Sequence, residues 1–123
     1  MRMYHASTAR IEKFAATGDI CLAYSTDEAA PYLNGQGGWM HTVEAPTVRL
    51  ASEDEIREAA EAVGIDGSYI FELADDKRVR AALAADGFGG CEYDDIGPDN
   101  AYEHRTVRIW DTAGIVVMAI EAI

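Results

Sequence analysis

Hydrophobic and polar positions along this chain change period several times, and each change marks an element. ICLAY, residues 20–24, is a short apolar run between Gly18-Asp19 and Ser25, and predicts a buried strand. RMYH, residues 2–5, predicts a short first strand reaching a loop over Ala6 to Ala9, with Ile11 and Phe14 pinning the next turn to the core. GWMHTVEA and TVRLA alternate on either side of Pro46 and read as two further strands, after a glycine-rich loop from Asn34 to Gly38. Helical spacing enters between these runs. Ser25 and Glu28 have capping-box spacing and open a short helix through about Tyr32, with Pro31 awkwardly late in it. Ser52 and Glu55 repeat that spacing, and Ile56, Ala59, Ala60 and Val63 then line one face until Gly64 stops the helix. A third helix is predicted from about Asp76 to Ala85, with Val79, Ala82 and Leu83 inward and Gly87 as its stop. GFGGCEY enters another strand, DDIGPDNAYE reads as an acidic loop, and RTVRIWD and GIVVMAIEAI close the chain as strands around a turn near Thr112 to Gly114. Strands gathered at both ends, about six in all with about three helices between them, imply an α+β fold around a mainly antiparallel sheet.

A length of 123 residues suits a single domain over 1–123, and 49% apolar with 26% charged residues is ordinary globular composition. Charge changes the picture more. Ten Lys and Arg against 22 Asp and Glu leave −12. A surface this negative repels phosphate backbones and anionic headgroups, which argues against direct nucleic-acid or membrane binding. It leaves open a protein whose acidic face occupies a basic nucleic-acid site on a partner. No run approaches the roughly 20 apolar residues of a membrane span, and MRMYHASTAR has no apolar signal core, so a cytoplasmic protein is expected. Cys21 and Cys91 stand apart without metal spacing and read as reduced thiols, and His5, His41 and His104 show no ligand-pair spacing, so no metal is expected.

Three places carry candidate chemistry. Tyr4-His5-Ala6-Ser7-Thr8 puts a histidine beside small hydroxyl residues at a strand edge, suited to a ribose hydroxyl and a phosphate or amide, or to a partly buried histidine with one hydrogen bond. Tyr24 and Tyr32 stand at the two ends of a short helix and could sandwich a flat ring, or could be core, with Ser25 a helix cap. Between Glu92 and Glu103, five carboxylates (Glu92, Asp94, Asp95, Asp99 and Glu103) crowd one stretch that reads as a solvated acidic loop without EF-hand spacing. Glu103 differs, because it directly precedes a strongly patterned strand and could stabilise positive charge on a sugar. There is no dinucleotide-binding glycine fingerprint, no Walker loop and no nucleophile elbow.

In order and spacing these places resemble the ADP-ribosyltransferase superfamily, in its His-Tyr-Glu branch. That branch opens on a short strand ending in an aromatic residue, His, Gly and Ser or Thr, matched here by Tyr4-His5-Ala6-Ser7. An aromatic-ended strand, a small hydroxyl or acidic residue and a helix with a second tyrosine follow, as in Leu22-Ala23-Tyr24-Ser25-Thr26-Asp27 with Tyr32. Gly87-Phe88-Gly89-Gly90 then leads towards Glu103 and the strand Thr106 to Asp111. Small phage-encoded members that act as anti-CRISPR proteins are similar in size, acidity and the final strand entry. The resemblance implies a split, mainly antiparallel sheet and NAD as co-substrate, with His5 on the adenosine ribose, the backbones of Ala6 and Ser7 on the nicotinamide amide, and Tyr24 and Tyr32 flanking the ring. It implies Glu103 on the nicotinamide ribose as the catalytic carboxylate, with Tyr24 beside it and Ser25 lining the site. Ala6 stands where the family has glycine, and Asp94, Asp95 and Asp99 are rivals for the position of Glu103. The implied partner is a protein with a basic surface, a CRISPR effector subunit being one such target, in the bacterial cytoplasm if the gene is a phage's. Arg2, Arg10, Arg49 or Arg105 would screen anionic NAD from the acidic field. The competing expectations are a non-enzymatic acidic mimic of nucleic acid, and a nucleotide-binding module without turnover.

Overall fold

The computed structural model describes residues 1–15, 20–33, 35–67, 69–96 and 103–123, with Ile96 and Glu103 described by their backbone alone. Gly18, Asn34 and Asp99 lie outside the described residues. The chain runs β1 (Arg2–Ser7), α1 (Thr26–Ala29), a 3-10 turn (Ala30–Leu33), β2 (Trp39–Glu44), β3 (Leu50–Ala51), α2 (Glu53–Ala62), α3 (Ile70–Asp75) and α4 (Lys77–Ala85). It continues through β4 (Gly90–Ile96), β5 (Glu103–Ile109), a second 3-10 turn (Thr112–Gly114) and β6 (Val116–Ala122). Two three-stranded sheets result, ordered β1-β2-β6 and β3-β4-β5, so the fold is α+β as the sequence implies. Every strand pair is antiparallel except β3–β4, where the helical segment carries the chain back to run alongside itself.

Local chemistry explains most elements. Ser52 and Glu55 exchange both bonds of the capping box at the start of α2, while Asp76 accepts from the Arg78 and Val79 N–H groups and caps α4. Gly64 and Gly87 follow α2 and α4 at φ 74° and 90°, the left-handed stop that glycine adopts most easily. Ser52→Ala is expected to lower stability by about 1 kcal/mol, read as a fall in urea midpoint at unchanged m. A midpoint within error of the parent would show that the cap contributes nothing.

Several boundaries depart from expectation. ICLAY is not a strand; only Leu22 and Ala23 form isolated bridges. TVRLA shrinks to Leu50–Ala51. β1 runs on to Ser7 instead of looping at Ala6, because Ser7 finds Trp39 across the ladder. β4 continues through Asp94 and Asp95 to Ile96 where an acidic loop is expected, since Arg105 and His104 stand opposite those carboxylates. The helix after Ser25 gives way to a 3-10 turn at Ala30, next to Pro31, whose nitrogen has no hydrogen to donate. α3 is an additional helix, short and without a side-chain cap, held by the burial of Leu73 and Ala74.

The two bridges matter more than their length. Ala23 exchanges both backbone bonds with Tyr4 (2.8 and 2.9 Å), and Leu22 exchanges both with Val107 (2.9 Å each). Two residues thus tie β1 to β5 and join the sheets edge to edge. Leu22 is fully buried there among Met3, Phe14, Val43, Val107 and Ile109. A second core packs α2, α3 and α4 on β3 and β4 around Ile56, Leu83 and Tyr93, and a small third one lies under α1.

Candidate functional site

Because Leu22–Ala23 lies between β1 and β5, the three segments carrying His5, Tyr24 and Glu103 are neighbours. Alternation decides the faces. Tyr4 packs with Ala23 in the small core under α1, so His5 takes the opposite face, with Met3, Leu22 and Val107. Glu103 opens β5 opposite Ile96 and has the parity of Arg105 and Val107; its side chain lies outside what is described.

His5 is held from both sides. Its Nδ1 lies 3.0 Å from the Cys21 carbonyl, which can only accept, so Nδ1 carries the proton and Nε2 is left an acceptor. Beside it, fully buried His41 donates from Nδ1 to the His5 carbonyl (3.0 Å) and accepts the Ile11 N–H at Nε2 (2.9 Å). Phe14 meets the His5 ring edge-on at 5.5 Å, which is the anchoring expected of Ile11 and Phe14. Burial holds His5 below the ordinary 6.5, against the bond to Cys21 and with the help of His41. A lowered folded value means the unfolded chain binds more protons just below 6.5, so this group costs stability as pH falls. Between about pH 7 and about pH 5, wild type is expected to lose more stability than His5→Gln in urea titrations; parallel slopes would exclude this role.

Ala6 buries its methyl under α1 with Ala29, Leu33 and Met40. The Ala6 methyl therefore points away from the face of His5. The backbone groups of Ala6 turn towards the edge that Tyr4 uses for Ala23. Ser7 accepts the Ala9 N–H at 3.1 Å, and Ser25 accepts the Glu28 N–H at 3.2 Å as the cap of α1. Tyr24 is 45% exposed and donates its hydroxyl to Glu92 Oε2 at 2.5 Å. Burial, then Glu92, pushes its phenol up to about 12, so it stays a donor. Arg105 bridges Glu92 (3.3 Å) and Asp94 (3.0 Å), while its backbone N–H donates to Glu28 (3.1 Å).

The two tyrosines are not brought together. Tyr24 reaches Glu92 on one face of β4, whereas Tyr32 reaches Asp95, His104 and Thr106 on the other. One arrangement satisfies that second group: Tyr32 donates to Asp95 (3.1 Å) and accepts from Thr106 (2.6 Å) and from His104 Nε2–H (2.5 Å). The His104 ring stands edge-on to Tyr32 at 4.8 Å. Burial, then the Cys21 thiol, raises the Tyr32 phenol far above its ordinary value, which suits a fixed network rather than a titrating base. In the sequence, Glu92 and Asp95 stand out as part of an acidic loop, Asp95 also as a rival of Glu103, and His104 only for a metal it does not support; what motif reading missed is their pairing with Tyr24 and Tyr32. The cross-strand pairs Asp94–Arg105 and Asp95–His104 were the available signal once β4 and β5 are in register.

Among the described residues, no group of three or more His, Cys, Asp or Glu is arranged to hold a metal ion, and no helix is long and apolar enough to cross a membrane. Hollows of about 370 Å³ behind α2 and about 290 Å³ beside β6 are not lined by His5, Tyr24 or Tyr32. What fold and cluster define is a small α+β domain whose two sheets meet at a short bridge, with a histidine of fixed tautomer and a tyrosine–carboxylate–arginine group on one face. No protein-family model, curated protein or solved structure matches the chain.

Proposed function

We propose that this protein is an NAD-dependent mono-ADP-ribosyltransferase acting on a side chain of a protein target. The observation that supports it is the adjacency of β1, the Leu22–Ala23 bridge and β5, which gathers three motifs far apart in sequence. His5 Nε2, an acceptor, suits the hydroxyl of the adenosine ribose, and the edge backbone of Ala6 suits the nicotinamide amide. Tyr24, exposed and protonated, offers its ring to the nicotinamide. Tyr32 supports the site from behind through His104 and Thr106 and does not flank the ring. In the reaction the bond from the ribose anomeric carbon to the nicotinamide nitrogen breaks, and nicotinamide leaves with the electron pair. The acceptor side chain forms the new bond and loses a proton. Glu103 is the carboxylate assigned to the oxocarbenium-like transition state, and Glu92, bonded to Tyr24, competes for that role. The −12 charge favours a target with a basic surface, such as a nucleic-acid-handling complex and, within that class, a CRISPR effector subunit in a phage-infected bacterium.

Pure protein incubated with labelled NAD and a bacterial lysate is expected to label a discrete band. Glu103→Gln should lower transfer by about 10²-fold or more. Transfer lost in Glu92→Gln and retained in Glu103→Gln would move the catalytic role to Glu92. No transfer, together with salt-sensitive binding to a basic partner, would favour a non-enzymatic acidic inhibitor.

A further inference from the structure

We propose that β6 pairs antiparallel with β6 of a second copy of this chain, joining two three-stranded sheets into one across a two-fold axis. β6 is the outer strand of the order β1-β2-β6, so one row of its backbone groups faces away from β2. Among the described residues the exposed large hydrophobic side chains are Tyr24, Tyr69, Phe71, Val116, Met118 and Ile123, and the last three, 56%, 63% and 52% exposed, lie on or just after this strand. Outer strands are ordinarily protected by lysine, proline or a bulge. Val116–Ala122 has no Lys, Arg or Pro; its one irregularity is an extra residue, Met118, opposite the Thr42–Val43 step.

Charge selects the occupant. Residues 116–123 have a single charged side chain, Glu121, in a chain of −12. Two like-charged molecules approach most easily through such a neutral strip, whereas a basic partner would be drawn to acidic faces such as Glu53, Asp54 and Glu55 at the start of α2. The hollow beside β6 is walled by Val117 to Ile120 and by Arg10 and Glu12, which pair with each other, so it adds no net charge to the strip. An axis between Met118 and Ala119 sets Val117 against Ile120 of the second copy. Both are partners of the core-facing β2 positions Val43 and His41, and this register keeps the two Glu121 side chains apart. The candidate catalytic face lies at the β1 end of the sheet, so each copy keeps its own site.

Sedimentation equilibrium of the full chain, over a wide concentration range at low and high salt, tests this. Wild type is expected to pass from monomer to dimer as concentration rises, with the dimer favoured by salt because screening removes like-charge repulsion. Val116→Lys and Met118→Lys alter exposed side chains and should weaken the dimer by about tenfold or more with the far-UV spectrum unchanged. Slower amide exchange along β6 at high concentration gives an independent reading. The proposal is overturned by a monomer at every concentration, by a dimer indifferent to both lysines, or by a dimer that dissolves as salt is added. None of these outcomes bears on NAD transfer, which label incorporation reads separately.

Discussion

Leu22→Ala is expected to destabilise the protein by about 2–5 kcal/mol, a large part of the roughly 5–15 kcal/mol available to a small domain. Leu22 has no exposed surface and packs against Met3 from one sheet and Val107 from the other. Alanine keeps the backbone bonds to Val107, so the loss isolates the side chain: its transfer free energy plus the cavity left between two sheets that cannot both collapse onto it. Leu22→Met, which nearly conserves volume, should cost less than about 1.5 kcal/mol. Urea midpoints measure both. A Leu22→Ala loss under about 1 kcal/mol would mean that the sheets are not held at this point.

Asp75→Ala is the second large effect, and its comparison with Arg108→Met is more telling than either alone. Arg108 is buried in β5 and reaches Asp75 of α3 at 2.7 Å and the Tyr93 hydroxyl at 3.2 Å. The burdens are unequal, since the Asp75 side chain is 50% exposed and that of Arg108 only 6%. Removing Asp75 leaves a buried guanidinium short of its carboxylate, at a cost of about 3 kcal/mol, the low end for a buried pair because water reaches the Asp75 side. Arg108→Met fills much of the same space with apolar atoms and leaves a half-exposed carboxylate that Arg80, 3.4 Å away, still neutralises; about 1 kcal/mol is expected. If the arginine variant proves the weaker of the two, the pair is not what anchors α3 to the sheet.

These predictions fall where legibility from sequence was poorest. ICLAY reads as an ordinary strand, yet its importance lies in two residues that bridge two sheets, and local pattern does not encode which edges will meet. α3 has neither a cap nor a clear apolar period, and depends on burying Leu73 and on Asp75 meeting Arg108 more than thirty residues on. The candidate site was legible in part. His5 and Tyr24 were singled out by the residue types around them, and both face the same region; Tyr32 was singled out on the same grounds and lies behind the sheet. Tyr32 sits in the 3-10 turn Ala30–Leu33, beyond the helix that Tyr24 precedes, where its hydroxyl meets Asp95, His104 and Thr106.

By itself the sequence determined what depends on neighbours in the chain: the caps at Ser25 and Ser52, a helix starting near Asp76, the stops at Gly64 and Gly87, the α+β class, and the excess of negative charge. Only the tertiary structure decided what depends on residues far apart. It put Asp94 and Asp95 into a strand by giving them Arg105 and His104 as partners, split the two tyrosines between opposite faces, and left the most apolar strand of the chain at the edge of its sheet. Caps and stops are fixed by bonds spanning a few residues, whereas strand order and facing are fixed by which distant edges bury together, and many orders are compatible with the same local pattern.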